Sequence, residues 1–394
     1  MPSFRVGSIA GIPIKLGLSF LLVLPLLAWL IASQVGQLVV LMNTTFGTAL
    51  PGAALSAGTM PYILGLAAAL GLFAGVILHE LGHSVVAMRF GYDIDSITLW
   101  FLGGIAQMVE MPEDWRQEFA VAVAGPVVSV VLGVVSYAAF LVVPEGLPGV
   151  RFVIAYLALL NIALAAFNLL PGFPMDGGRV LRALLARNRT HARATQIAAE
   201  VGKGFAFLLA LVGLFAGAIF YVAIAFFIYI SAAGEAQQAV TKAALQGVVV
   251  ERVMTPAEEI DAVTPETSVA DLVDRMLTER HTGYPVLDGG ELVGMVTLSD
   301  AQNVREVERD AYHVDEVMSR DLYTVPEDSD AMDALSTMQS NGVGRLPVLD
   351  IRGEFIGLVS RTDLMTALTI LQSSGMEATT DTATQSPRSP DESF

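Results

Sequence analysis

Six apolar runs constrain this chain more than any other feature. They fall at about 16–42, 62–89, 117–142, 151–170, 197–216 and 219–233. A helix crossing a bilayer core needs roughly 20 such residues. Backbone groups in hydrocarbon must find partners inside the protein, so runs of this length are expected to be helices. Gly217 separates the last two and offers a break for a tight hairpin. The first run is longer than the apolar core of a signal peptide and is expected to stay as a spanning helix.

Charges orient the bundle. Arg5 and Lys15 precede the first run, Arg89 ends the second, and Arg179, Arg182, Arg187, Arg189 and Arg193 follow the fourth, whereas 43–60 and 143–150 hold no Lys or Arg. By the positive-inside rule, a multi-pass cell-membrane protein with cytoplasmic N- and C-termini is expected. Residues 90–116 break the helical pattern with alternating apolar positions and paired glycines, which suggests short strands. Such strands must lie against protein or line a wet cavity.

Composition separates the two halves. Residues 1–245 carry 11 acidic and 12 basic residues, and residues 246–394 carry 28 acidic against 10 basic, a net charge of −18. An acidic half of this size argues against nucleic acid as a partner. The chain has no cysteine, so a metal would have to be held by histidine and carboxylate.

One stretch conflicts with its surroundings. GVILHELGHSVVAMRFG, 75–91, places His79, Glu80 and His83 in an apolar span. Ionisable groups there are costly and point to function. His79 and His83 are i and i+4, on one helical face, so both imidazoles can bind one cation. Glu80 falls beside them, where a carboxylate can take a proton from metal-bound water. A third ligand is needed. Asp176, in NLLPGFPMDGGRVLRALL (168–185), is the candidate, because Pro171, Gly172, Pro174, Gly177 and Gly178 break the helix around it. The bland alternatives are a structural polar cluster and an Asp-Gly-Gly turn.

HELGH, FLGGIAQM, VAVAGPVVS and NLLPGFPMDGGR together resemble the site-2 protease family of intramembrane zinc metalloproteases. The resemblance spans the membrane half. It implies one Zn²⁺ per chain on His79, His83 and Asp176, with Glu80 catalytic and Asn168 steadying the oxyanion. It also implies that 98–108 holds an extended substrate, with Gly103 and Gly104 permitting close approach, and that the substrates are single-span membrane proteins in the lipid bilayer. One departure is visible: the family often has Asn four residues after the glycine of its Ala-Gly-Pro motif, where this chain has Ser129.

The acidic half contains a repeat. Residues 250–300 align with 314–363, sharing Pro-Val-Leu-Asp (285–288, 347–350) and Gly-x-Val-x-x-x-Asp (294–300, 357–363). Each copy reads strand, helix, strand, strand, helix. About 60 residues make a marginal core, so the copies are expected to pack together. They look like a pair of CBS domains, which implies an α/β tandem module. The likeness implies contacts to adenine nucleotide (ATP, ADP or AMP) from Thr297, Ser299, Asp300, Ser360, Thr362 and Asp363, with Arg345 and Arg361 offsetting the acidic surface. The alternatives are that the Asp residues cap the following helices, and that the pair only joins a homodimer.

The expected fold is a polytopic α-helical membrane domain over 1–235, with six transmembrane helices and a small membrane-associated β region. A linker at 236–249, CBS domains at 250–307 and 314–371, and a disordered acidic tail at 373–394 follow. A CBS-regulated transporter or channel is the competing class, and an inactive scaffold a third. Glu80 discriminates, since a transport site needs no base beside its first ligand.

Overall fold

The computed structural model describes residues 3–100, 103–108, 112 and 114–373. The tail from 374 onward lies outside the described residues. The chain forms two compact units, Met1–Ala239 and Val240–Phe394.

In the first unit β1 (Ser3–Ile9) and β2 (Ile12–Gly17) lead into α1 (Leu18–Ser33), α2 (Val35–Phe46) and the short α3 (Gly52–Leu55). Then come α4 (Met60–Arg89), β3 (Ile94–Trp100), β4 (Gly103–Met108), α5 (Trp115–Val142), α6 (Pro148–Asn168), α7 (Asp176–Ala186), α8 (His191–Phe215) and α9 (Ile219–Leu245). Among the described residues, α4, α5, α6, α8 and α9 are each long and apolar enough to cross a membrane. The 30 residues of α4 reach about 45 Å at 1.5 Å per residue.

The expected first span differs. Residues 16–42 are two helices bent by 68° at Gln34, a broken span or a re-entrant loop. Ser33 donates its hydroxyl to the carbonyl of Leu30 at 2.7 Å, a local bond of the kind that competes with helix continuation. The segment expected as a linker, 236–249, is helical through Leu245, so the chain passes between the units inside α9. Gly217 takes φ +65° and its N–H bonds the carbonyl of Leu214 at 3.2 Å, a left-handed helix end suited to glycine.

The β region is a four-stranded sheet of order β1-β2-β3-β4. Strands β1 and β2 form an antiparallel hairpin in which Ile9 pairs with Ile12 across Ala10-Gly11. Both turn residues have positive φ, as a two-residue hairpin demands. This hairpin extends the sheet beyond the expected strands, because β2 pairs in parallel with β3. Ile12, Ile14 and Ile97 pack on Ile77 and Leu81 of α4, and Leu99 packs with Phe20 and Phe73. The sheet is thereby held along α4, with β4 as its outer strand.

In the second unit the first copy contributes α10 (Val269–Glu279), β6 (Gly283–Asp288), β7 (Glu291–Thr297) and α11 (Leu298–Gln302), preceded by β5 (Thr255–Pro256). The second contributes α12 (Val314–Val317), β8 (Val325–Pro326), α13 (Ala331–Asn341), β9 (Arg345–Leu349), β10 (Phe355–Ser360) and α14 (Arg361–Ser373). Their leading segments are exchanged. Strand β5, ahead of the first copy, pairs with β10 of the second. Ser319, ahead of the second copy's strands, bridges Met295 in β7 of the first. The shared motif glycines mark the two crossings. A Cβ on Gly357 would lie 2.7 Å from the carbonyl oxygen of Thr255, and one on Gly294 would lie 3.1 Å from that of Ser319. Val250 is buried in the second copy's core, and Val314 and Met318 in the first's.

Candidate metal centre

His79 and His83 sit one turn apart on α4, each 4% exposed. Asp176 is the first residue of α7, its side chain 13% exposed. The glycines beside it explain the placement. A Cβ on Gly178 would lie 2.6 Å from the carbonyl carbon of Gly172, and one on Gly177 would lie 2.5 Å from that of Leu169. Only glycine lets the 168–178 segment fold back so tightly and bring the carboxylate to the histidines.

The three ligand atoms form a near-equilateral triangle. His79 Nε2 lies 3.1 Å from Asp176 Oδ2, His83 Nε2 lies 3.3 Å from the same oxygen, and the two Nε2 atoms are 3.2 Å apart. Ligands about 2.0–2.1 Å from a tetrahedral Zn²⁺ stand about 3.3 Å from one another. The donor set therefore fits zinc in both chemistry and spacing, with three protein ligands and one position left for water or substrate.

One face of α5 shapes this centre at i, i+4 and i+8. The carbonyl of Val121 accepts from His83 Nδ1 at 2.7 Å. Four residues on, Gly125 lies over the rings, and any Cβ there would collide with both imidazoles. Four further on, Ser129 Oγ meets His79 Nδ1 at 2.8 Å and is fully buried. With Nδ1 engaged outward, each histidine presents Nε2 to the centre. None of the three was named from the sequence as part of the site. Ser129 had been noted only as the position where the chain departs from the family's Ala-Gly-Pro motif.

Glu80 is half-buried beside His79, with its side chain close to β4: a Cβ on Gly104 would lie 2.7 Å from Glu80 Cγ. Gly103 takes φ +129° and pairs with Trp100 at the β3–β4 turn. Asn168 closes α6, half-buried, two residues before the Leu170 carbonyl that crowds Gly177. Phe101 and Leu102 of the expected strand region lie outside the described residues.

A buried ion pair ties the supporting helices. Arg182 Nε of α7 donates to Glu118 Oε1 of α5 at 2.6 Å, and both side chains are under 10% exposed. Glu235 of α9 lies 3.5 Å from Arg182, and the guanidinium stands 5.2 Å over Phe173.

The nucleotide candidates are placed in two equivalent turns. Thr297 donates its N–H and hydroxyl to Asp300 Oδ2 at 2.8 and 2.6 Å. Ser360 does the same to Asp363 Oδ2 at 2.8 and 2.7 Å. Both are capping boxes, so the residue at the helix cap is Thr297 or Ser360, and the Asp reaches back from the third helical position. Ser299, Thr362 and Arg361 are exposed. Arg345 donates to Thr282 Oγ1 at 2.9 Å and to the carbonyl of Gly283, joining the two copies. A second grouping of Asp261, Glu279 and His281 also lies close together. There Glu279 is already taken by the Tyr284 hydroxyl at 2.7 Å and Arg275 at 3.1 Å.

A sheltered His-His-Asp triangle with an adjacent glutamate, set among apolar helices, is the constellation of a metal-dependent hydrolase of the membrane. Comparison with known proteins identifies the class. The model of peptidase family M50 matches residues 67–147 and 147–211, and the CBS domain model matches 250–305 and 314–370. A zinc metalloprotease of Methanocaldococcus jannaschii is 32% identical over 94% of this chain and 97% of its own. Stage IV sporulation protein FB of Bacillus subtilis is 28% identical over 37% of this chain and 54% of its own. The solved structure of a site-2 protease from Methanocaldococcus jannaschii covers 60% of this chain and 95% of that one, at 33% identity and TM-score 0.40. The chain belongs to the site-2 protease family of zinc metalloproteases, peptidase family M50, and carries a CBS pair. It is a multi-pass membrane protein.

Proposed function

We propose that the protein is an endopeptidase of the cell membrane that hydrolyses peptide bonds of single-span membrane substrates within the bilayer, as in regulated intramembrane proteolysis. The observation that carries this is the 3.1–3.3 Å triangle of His79, His83 and Asp176 beside Glu80. His79, His83 and Asp176 would hold Zn²⁺, which would supply Lewis acidity toward the scissile carbonyl and lower the pKa of the attacking water. Glu80 would take a proton from the attacking water and return it to the leaving amine. Asn168 supplies a donor toward the oxyanion. The outer edge of β4 near Gly103 and Gly104 receives the unwound substrate by strand addition, which sets an extended backbone beside Glu80. Six spans, counting α1 and α2 as one, put both termini in the cytoplasm, in accord with the Arg-rich 179–193 loop.

The test is zinc content of the full chain beside Asp176→Ala and His79→Ala, with cleavage of a single-span substrate and Glu80→Gln as the inactive control. About one zinc in the parent, lost or weakened in both variants, supports the reading. No zinc in folded, metal-supplemented parent protein refutes it and favours a transporter.

The CBS pair binds adenine nucleotide at its Thr297–Asp300 and Ser360–Asp363 turns and thereby modulates cleavage; it also serves a homodimer. Support comes from the family match and from Arg345, which lies among residues of both copies. Equal cleavage rates with and without saturating ATP or AMP, in protein verified to bind nucleotide, would refute the regulation.

A further inference from the structure

We propose that Ser129 is a positioning residue for the metal, whose hydroxyl lets His79 change tautomer between the metal-free and loaded states. This rests on the zinc reading of the His79, His83 and Asp176 site.

The two histidines are held differently. His83 Nδ1 faces the carbonyl of Val121 at 2.7 Å. A carbonyl only accepts, so neutral His83 keeps its proton on Nδ1 and its lone pair on Nε2. His79 Nδ1 instead faces Ser129 Oγ at 2.8 Å, and a hydroxyl can either donate or accept. Without metal, the contacts are best satisfied when His79 carries its proton on Nε2. That proton then points at Asp176 Oδ2, 3.1 Å away, and at the lone pair of His83, 3.2 Å away. Ser129 donates to Nδ1 in this state. A metal at the triangle needs the lone pair of His79 on Nε2, so the proton must sit on Nδ1, and Ser129 rotates to accept it. A residue without a hydroxyl would leave buried Nδ1 unpaired in both states, at a site that excludes water: Ser129 is 0% exposed.

The experiment uses the full chain in micelles. Zinc affinity is measured by chelator competition for the parent, Ser129→Ala, Ser129→Thr and Ser129→Val, the last two being nearly equal in size. Loss of an outer hydrogen-bond partner typically weakens metal binding about 10–100-fold, so that loss is expected in Ala and Val while Thr stays near the parent. A second readout is the ¹⁵N spectrum of histidine-labelled protein, with the His79 signals assigned from His79→Gln. His79 is expected as the Nε2–H tautomer without metal and as Nδ1–H with zinc. Parental affinity in Ser129→Ala, or equal loss in Thr and Val, overturns the hydroxyl's role, and an unchanged His79 tautomer overturns the switch. A parent protein that binds no zinc fails the metal reading itself and is recognised before any variant is compared.

Discussion

Gly125→Ala is expected to abolish proteolysis although it replaces none of the proposed ligands. A Cβ at 125 would stand 2.6 Å from His83 Cε1 and 2.7 Å from His79 Nε2, whereas ordinary contact begins at 3.4 Å. His83 Nε2, the proposed ligand atom, would lie closer still, so the His83 ring must retreat by roughly 1 Å or α5 must move away, and metal–ligand distances tolerate only about 0.2 Å. Moving α5 also moves Val121 and Ser129, which orient the same rings. A misplacement of about 1 Å typically lowers rate about 100-fold, and overpacking a tight interior costs roughly 1–3 kcal/mol of stability. The assay is cleavage of a single-span substrate at matched protein, with zinc content and thermal melting on the same samples. A Gly125→Ala protein that holds a full zinc and retains a third or more of parental activity would refute the reasoning.

Three further outcomes follow from the same geometry. Glu80→Gln should keep zinc near the parental level while cleavage falls about 100- to 10,000-fold, the usual worth of a positioned acid–base group; loss of zinc instead would make Glu80 a ligand. Arg182→Met leaves Glu118 buried without its closest cation and should cost about 3–5 kcal/mol, read as a lower melting temperature; an unchanged melt refutes the pinning role. Asp363→Ala removes both back-bonds to Ser360 and should destabilise the second unit by about 0.5–2 kcal/mol. Denaturant unfolding followed in that unit checks it, and nucleotide affinity measured on the same variant separates capping from binding.

The three residues that the structure brings together at the centre were legible in the sequence. His79 and His83 declare themselves because ionisable groups are rare in an apolar span, and Asp176 because prolines and glycines crowd around it. The 97 residues from His79 to Asp176 hid only the closeness of approach. Other parts were hidden for physical reasons. Val121 acts through its backbone carbonyl, which no side-chain pattern records. Ser129 was visible as a departure from the family's motif, but its contact with His79 was not, since the two lie 50 residues apart. The β1–β2 hairpin carries an Ala-Gly turn, but its strands are short, and β2 runs directly into the apolar helix at Gly17-Leu18, so the boundary was blurred there. The bend at Gln34 falls inside an apolar run, where the single Gly36 is weak punctuation. In the second unit the repeat was plain, whereas the exchange of leading segments was not, because pairing between copies leaves no local period.

That exchange makes the CBS pair indivisible. Thr255 crosses the second copy at Gly357, and Ser319 crosses the first at Gly294. Cutting the chain between the copies would strip each core of a segment that only its sister's leader supplies. A chain carrying a single copy could regain those contacts only by trading leaders with another molecule. Loss or duplication in such a lineage must therefore proceed by whole pairs, and strain entering at one copy is borne directly by the other's sheet.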